Sequence, residues 1–305
     1  MSEERSVVVV VGSANVDVVA RVPRIPGPGE TLLATSVARG AGGKGANQAV
    51  GAARAGGAPT WFVGRLGDDG DAALLRASLL GAGVELDAVE ISSEPTGTAL
   101  ISVSDDGENA IVVVGGANAD LTSLSPTQLE RIATAGVVVA QLEVPLPTVL
   151  AAAQARRPGA SFVLNAAPSA PLPDELLREV DVLVVNEHEL ADLVPGLEPE
   201  AAAQRVLGRV GAVVVTLGSR GCLVVEQERT TQVAALPVAV VDTTGAGDTF
   251  CGVLAARLAA GDDLVEAARW GSVAGALAVE RPGAQDAVPT AAEVREARNV
   301  QGEPS

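Results

Sequence analysis

Residues 7–11 are an unbroken run of five valines. A strand with one wet face alternates apolar and polar residues; a β-branched run without alternation is a strand buried on both faces. Similar short runs recur at Trp61–Val63, Val137–Leu142, Phe162–Leu164, Val182–Val185 and Ala212–Leu217. Helical patterns lie between them, at Gln48–Ala55, Ala72–Leu80, Pro126–Ala135, Thr148–Ala155 and Ala201–Val210. Ser125 with Gln128, and Thr290 with Glu293, have the spacing of capping boxes. Strand-helix alternation of this kind predicts an α/β fold with a mostly parallel central sheet flanked by helices. Two stretches break the rhythm. Val16–Gly40 has strand-like pieces around PRIPGPGE and no helix, and Thr98–Val114 reads as a hairpin around DDGEN. They predict a small β-sheet lid built from insertions at about 16–40 and 93–115 of a single domain spanning 1–305. Asn299–Ser305 is expected to fray.

Composition narrows the partners. The net charge of −17 repels polyphosphate backbones and anionic lipid heads, so neither nucleic acid nor membrane is an expected partner. Aromatic residues make up 2% of the chain, with no Tyr, which leaves few platforms for stacking. Two cysteines, Cys222 and Cys251, form no disulfide framework and suit a reducing, cytoplasmic setting. The valine run is too short for a membrane span.

Several motifs sit where strands end. DTTGAGDTF (242–250) places a glycine loop before the helical pattern of CGVLAARLAAG, which reads as amphipathic. Free N–H groups and the positive dipole end of a helix favour an anion there. A carboxylate beside them suits phosphoryl transfer, where positioning and charge neutralisation dominate. The plainer alternative is a turn whose Asp248 caps the helix. In GAGGKGANQAVGAA (40–53), Gly40, Gly42 and Gly45 fit G-x-G-x-x-G, but the loop follows a β insertion rather than the first strand. It is not a Walker A loop, since Gly45 follows Lys44 where Ser or Thr is required. What remains is a glycine-lined wall presenting Asn47 and Lys44, the only lysine among 21 basic residues. Asn15 and Asp17 in GSANVD alternate about Val16 and point to one face, a suitable pair for sugar hydroxyls. A polar turn is the equal alternative. Glu143 closes another apolar strand. Asn186 and Glu189, in NEHEL, are spaced to share a helical face. The lone histidine, His188, makes neither a metal site nor a Ser-His-Asp triad.

Together these motifs resemble the PfkB-type carbohydrate kinases, at their ribose-phosphorylating branch. GGKGANQA (42–49) and DTTGAGDTF carry most of the likeness, supported by QLE (141–143), NEHE (186–189) and TLGSRG (216–221). The resemblance implies ATP-dependent phosphorylation of D-ribose at O5. It makes Asp248 the base and Gly245, Ala246 and Gly247 the anion hole. Asn15, Asp17, Gly43, Lys44, Asn47 and Glu143 match sugar-contacting positions. Asn186, Thr216, Leu217, Gly218, Ser219, Arg220, Gly221 and Gly247 match ATP-contacting positions. Glu189 matches the acidic position associated with Mg²⁺ through water. Asp242, Thr244, Ala278, Arg281 and Gly283 match a site for K⁺, bound mostly through backbone carbonyls. Ala287 stands where the family often has Ser, which removes one cation ligand. The resemblance also implies a homodimer clasped through the lid. Alternatives are a kinase of the same family for deoxyribose, fructose or adenosine, and a non-catalytic sugar-binding protein on the same fold.

Overall fold

The structure is a computed structural model and describes residues 6–302. Its strands are β1 (Val8–Val11), β2 (Asn15–Val22), β3 (Ser36–Gly42), β4 (Thr60–Leu66), β5 (Val84–Glu85), β6 (Val89–Ile91), β7 (Gly97–Ser104) and β8 (Asn109–Val114), followed by β9 (Val137–Ala140), β10 (Ser161–Asn165), β11 (Val182–Asn186), β12 (Ala212–Thr216), β13 (Cys222–Val225) and β14 (Thr230–Val233). Its helices are α1 (Lys44–Val50), α2 (Gly70–Gly81), α3 (Pro126–Thr134), α4 (Leu146–Ala155), α5 (Asp174–Leu177), α6 (Glu187–Leu193), α7 (Pro199–Leu207), α8 (Ala246–Ala259), α9 (Leu264–Ala278) and α10 (Ala291–Gly302).

The valine run forms β1, at the middle of the large sheet. Strand order is β14-β13-β12-β11-β10-β9-β1-β4-β5, with β6 also on β4. Every pair from β12 to β5 is parallel, and β13 and β14 add an antiparallel edge. Both faces of β1 are covered, as its unbroken apolarity requires. Val8 and Val10 enter one core with α1, α2, α8 and α9. Val9 and Val11 enter the other with α3, α4, α5 and α7. The chain leaves β1 toward β4 on one side and later returns through β9 on the other. That reversal of strand order opens a crevice at the carboxyl ends of the strands, where such sheets bind ligands.

The two stretches that broke the rhythm make a separate four-stranded sheet, β3-β2-β7-β8. β2 pairs antiparallel with β3 and parallel with β7, and β7 and β8 form the hairpin read from the sequence. Both capping boxes are present, Ser125 with Gln128 and Thr290 with Glu293.

Four readings are corrected. The helix read at Gln48–Ala55 starts at Lys44, inside the glycine run, and ends in a π-helical turn over Gly51–Ala55. The helix after the second glycine loop starts at Ala246 and buries every residue from Asp248 to Ala256, so it is not amphipathic. It is sandwiched between α1, α9 and the sheet, and it has no wet face over that stretch. α9 and the β13–β14 pair were not among the elements read from the sequence. At the C-terminus α10 continues to Gly302 instead of fraying from Asn299; residues 303–305 lie outside the described residues. No helix among the described residues is long and apolar enough to cross a membrane.

Candidate active site

The site is built where two helix starts meet. Gly51 lies four residues after Asn47, and Gly252 four after Asp248. A Cβ on Gly252 would sit 2.3 Å from the Gln48 carbonyl oxygen, and one on Gly51 3.2 Å from the Thr249 Cα. The two helices therefore pack backbone against backbone, one turn beyond their functional residues. That contact brings the Asn47 and Gln48 amides onto Asp248. Asn47 Nδ2 donates to Asp248 Oδ2 at 3.0 Å, and Gln48 Nε2 donates to Oδ1 at 3.0 Å.

This arrangement rules out the helix-cap reading of Asp248. Asp248 is the third residue of α8, and the cap position is Gly245, in the left-handed region at φ 73°. Among the described residues the Asp248 carboxylate takes its hydrogen bonds from side-chain amides and none from a backbone N–H. It is 8% exposed. Hydrogen bonds from backbone N–H groups go instead to Asp242, whose Oδ1 accepts from the Thr244 N–H at 2.9 Å and hydroxyl at 2.7 Å. Its Oδ2 accepts from the Gly283 N–H at 2.9 Å. Burial pushes the Asp242 carboxyl up, but these hydrogen bonds outweigh it and hold the pKa below the ordinary value.

Gly245 has a structural reason to be glycine, since a Cβ there would also lie 3.2 Å from the Ala284 Cα. Gly247 does not: a Cβ would meet nothing within 4 Å. The space above Gly247 is open, at the positive end of a fourteen-residue helix. Of the loop's N–H groups, that of Ala246 lies 3.3 Å from the Thr243 carbonyl oxygen.

Two hollows adjoin this loop. One, of about 210 Å³, is walled by Lys44, Asn165, Asn186, Glu189, Thr216, Thr243, Gly245, Gly247, Asp248 and Cys251, among others. The other, of about 450 Å³, shares Thr216, Thr243 and Gly247 with it. Its remaining wall is largely apolar, with Leu236, Pro237, Val238, Val240, Phe250 and Val279. A polar chamber opening into an apolar one suits a phosphate chain followed by a flat, weakly polar ring. Gly218, Ser219 and Gly221 line the apolar hollow. Leu217 does not, because its side chain is buried in the core. Arg220 reaches away to pair with Glu187.

Asn186 and Glu189 form a reciprocal capping box at the start of α6. The Asn186 side chain accepts from the Glu189 N–H, and Glu189 Oε2 accepts from the Asn186 N–H, each at 2.8 Å. The shared helical face expected for them is thus a cap, and both still border the polar hollow. Burial raises the Glu189 carboxyl above its ordinary range. His188 is exposed. No group of three or more His, Cys, Asp or Glu residues suited to a metal occurs among the described residues. A divalent ion here would arrive with phosphate ligands and need only one carboxylate from the protein.

The remaining polar residues converge from the first strand and the small sheet. Gly42 lacks a Cβ where the Asp17 carboxylate sits; one there would lie 2.3 Å from Oδ2. Asp17 is pushed up to about 6 by burial first, then by the neighbouring charges of Glu143 and Asp248. Asn15 Oδ1 accepts from Asn118 Nδ2 at 2.7 Å. Glu143 Oε2 accepts from the Ser13 hydroxyl at 2.5 Å and the Lys44 N–H at 3.1 Å. Gly43, at φ 88°, begins α1 with its Cα against Ala14 and Asn15. The Lys44 ammonium is held above its ordinary pKa by Asp248 most of all, against burial, with Glu143 and Glu189 adding to it. The result is three carboxylates around one lysine, a setting rich in acceptors for hydroxyl groups.

Ala278, Arg281 and Gly283 lie close to Asp242 through the backbone. The Val241 and Asp242 N–H groups donate to the Val279 carbonyl, and Arg281 pairs with Glu293. Ala287 is fully buried and offers a methyl group. The structure also brings in residues that sequence reasoning missed: Gln48, buried against the Asp248 carboxylate, Gln141, Asn165 and Gln285, buried one hydrogen bond behind it, and the apolar hollow's wall. A lone amide inside an apolar run, as Gln141 is, and the adjacent amides Asn47 and Gln48 ahead of one were the available signal.

The chain matches a model of the pfkB family of carbohydrate kinases over residues 5–291. It is 40% identical to a ribokinase of Arabidopsis thaliana over 297 residues, covering 92% of this chain and 78% of that protein. It is 37% identical to a ribokinase of Haemophilus influenzae over 302 residues, covering 96% and 98%. Its fold superposes on the structure of Arabidopsis thaliana ribokinase complexed with ribose and ATP with a TM-score of 0.89, at 38% identity and with 96% and 98% coverage.

Proposed function

The chain belongs to the pfkB family of carbohydrate kinases, and from that premise we propose that it transfers the γ-phosphate of ATP to O5 of D-ribose. The observation that carries this reading is Asp248: a buried carboxylate in the first turn of a helix, unspent on capping, between an open glycine loop and a cluster of hydroxyl acceptors.

The sugar would rest against Asn15, Asp17, Gly43, Lys44 and Glu143, with its primary hydroxyl on Asp248; Asn47, matched to a sugar contact by resemblance, instead gives its amide to Asp248 and Gln285. Asp248 takes the O5 proton as O5 attacks the γ-phosphorus in line and ADP leaves. Negative charge on the transferring group is met by the N–H groups of Gly245, Ala246 and Gly247 and by the Lys44 ammonium. The adenosine end would lie in the apolar hollow along Gly218, Ser219 and Gly221, with Asn186 and Thr216 toward the phosphates. Mg²⁺ supplies charge neutralisation on the phosphates, and Glu189 would hold it through water. Residues 242–244 and 278–283 would hold K⁺; the Asp242 carboxylate, tied to Gly283, supports this by joining the two segments beside the loop. Lid pairing into a homodimer, and a cytoplasmic location for two buried free thiols, complete the proposal.

Initial rates of ADP formation with D-ribose, deoxyribose, D-fructose and adenosine, in K⁺ and in Na⁺, test it. Ribose is expected to have the highest kcat/KM, higher in K⁺, with D-ribose 5-phosphate as product. A higher kcat/KM with another acceptor would reassign the substrate. No ADP with any acceptor would leave a sugar-binding protein.

A further inference from the structure

Ionised Asp248 can only accept hydrogen bonds, so both amides on it must present their N–H groups. That fixes where their oxygens point, away from Asp248, and each buried oxygen then needs a donor. Asn47 Oδ1 accepts from Gln285 Nε2 at 3.1 Å, and Gln48 Oε1 accepts from Gln141 Nε2 at 2.6 Å. The first line goes one step further, since Gln285 Oε1 accepts from the Ser78 hydroxyl at 2.6 Å. Two one-way lines therefore end on the two oxygens of one carboxylate: Ser78, Gln285, Asn47 to Oδ2, and Gln141, Gln48 to Oδ1. Gln48, Gln141 and Gln285 are each at most 3% exposed, so water does not replace a missing member.

We propose that Gln285 and Gln141 are positioning residues for Asp248, locking the Asn47 and Gln48 amides so that they hold the carboxylate in its reactive orientation. They come from parts of the chain far apart in sequence, the segment after the Arg281–Gly283 turn and the end of β9. Without Gln285 the Asn47 oxygen loses its buried donor, and the amide can swing toward another donor and loosen its hold on Asp248. Substrate-binding groups elsewhere in the site are untouched by that swing.

The inference rests on the kinase reading, so wild-type turnover with ribose and ATP is measured first; failure there overturns the reading itself. Gln285→Met then keeps the volume and removes the donor. Its kcat is expected to fall roughly ten- to a hundredfold, the factor set by one charge-assisted hydrogen bond, with the ribose and ATP KM values within about twofold. In an Asp248→Ala background, Gln285→Met is expected to change the residual rate by less than about twofold, because nothing is left to position. Ser78→Ala, at the far end, keeps the fold intact should Gln285→Met not fold. It is expected to lower kcat about two- to fivefold, again only when Asp248 is present. An equal loss with and without Asp248, a rise in KM at unchanged kcat, or no change in either constant overturns the proposal.

Discussion

At the residue scale, what an aspartate does depends on which donors it meets. Asp242 and Asp248 flank the same glycine loop, yet one spends its oxygens on backbone N–H groups and the other on amide side chains. Asp248→Asn keeps the shape and removes the proton acceptor. Its kcat is expected to fall by about 10²–10⁴ while ribose and ATP dissociation constants, measured by calorimetry, stay within a few-fold. Turnover near wild type would remove Asp248 from the role of base. Asp17 carries a pH dependence. Its folded pKa of about 6 lies above the ordinary 3.8, so between those values the folded protein holds a proton that the unfolded chain has released. Stability from this group is whole below pH 3.8, falls as pH rises, and is lost above about 6, a change on the order of 1–3 kcal/mol. In Asp17→Asn that slope is absent. Urea unfolding at pH 4 and pH 7 should show the variant gaining on wild type at the higher pH. Parallel curves would contradict the origin in burial and the Glu143 and Asp248 charges.

At the element scale, the glycines of the loop divide into Gly245, which the fold needs, and Gly247, which no contact within the protein requires. Gly245→Ala forces a side chain into the left-handed region and against Ala284, at an expected cost of about 1–2 kcal/mol in chemical denaturation. Gly247→Ala meets nothing in the protein, so its unfolding midpoint should match wild type while turnover falls at least tenfold. If both variants lost stability equally, the space over Gly247 would not be the phosphate's. The elements also show where sequence reading worked. Val7–Val11 and the other apolar runs marked the parallel strands because burial on both faces leaves a compositional trace. The starts of α1 and α8 were not legible. Glycine is a poor helix former, so Lys44–Gly45 and Ala246–Gly247 read as loop. Tertiary packing overrides that preference, because only glycines at 51 and 252 let the two helices touch closely enough to join Asn47 and Gln48 to Asp248.

At the scale of the whole molecule, the small sheet presents apolar surface that the large one does not cover. β8 is exposed along its whole length, with Ile111, Val112, Val113 and Val114 each about half or more exposed, and Leu100 and Val37 add to the area. A solvent-facing strand edge of this kind is a template for pairing, and a second copy of the chain offers the same edge. Sedimentation should give a dimer for the wild type and a monomer for the double variant Ile111→Lys, Val113→Lys. A monomeric wild type would leave the lid without its proposed partner.

The sequence alone determined the layers, the valine-centred parallel sheet, the small sheet and the positions of the motifs, since these follow from local periodicity and burial. It also located both aspartates of DTTGAGDTF without dividing their tasks. Only the tertiary structure decided that Asp248 is not a cap, that Gln48 bonds it while Gln141 and Gln285 stand one hydrogen bond behind, and that an apolar hollow beside the loop is walled by Leu236, Pro237, Val238 and Val240 and by α8 and α9. Those facts depend on which groups from distant segments meet in space. A buried amide announces that it has a partner, and only the packed fold says which one.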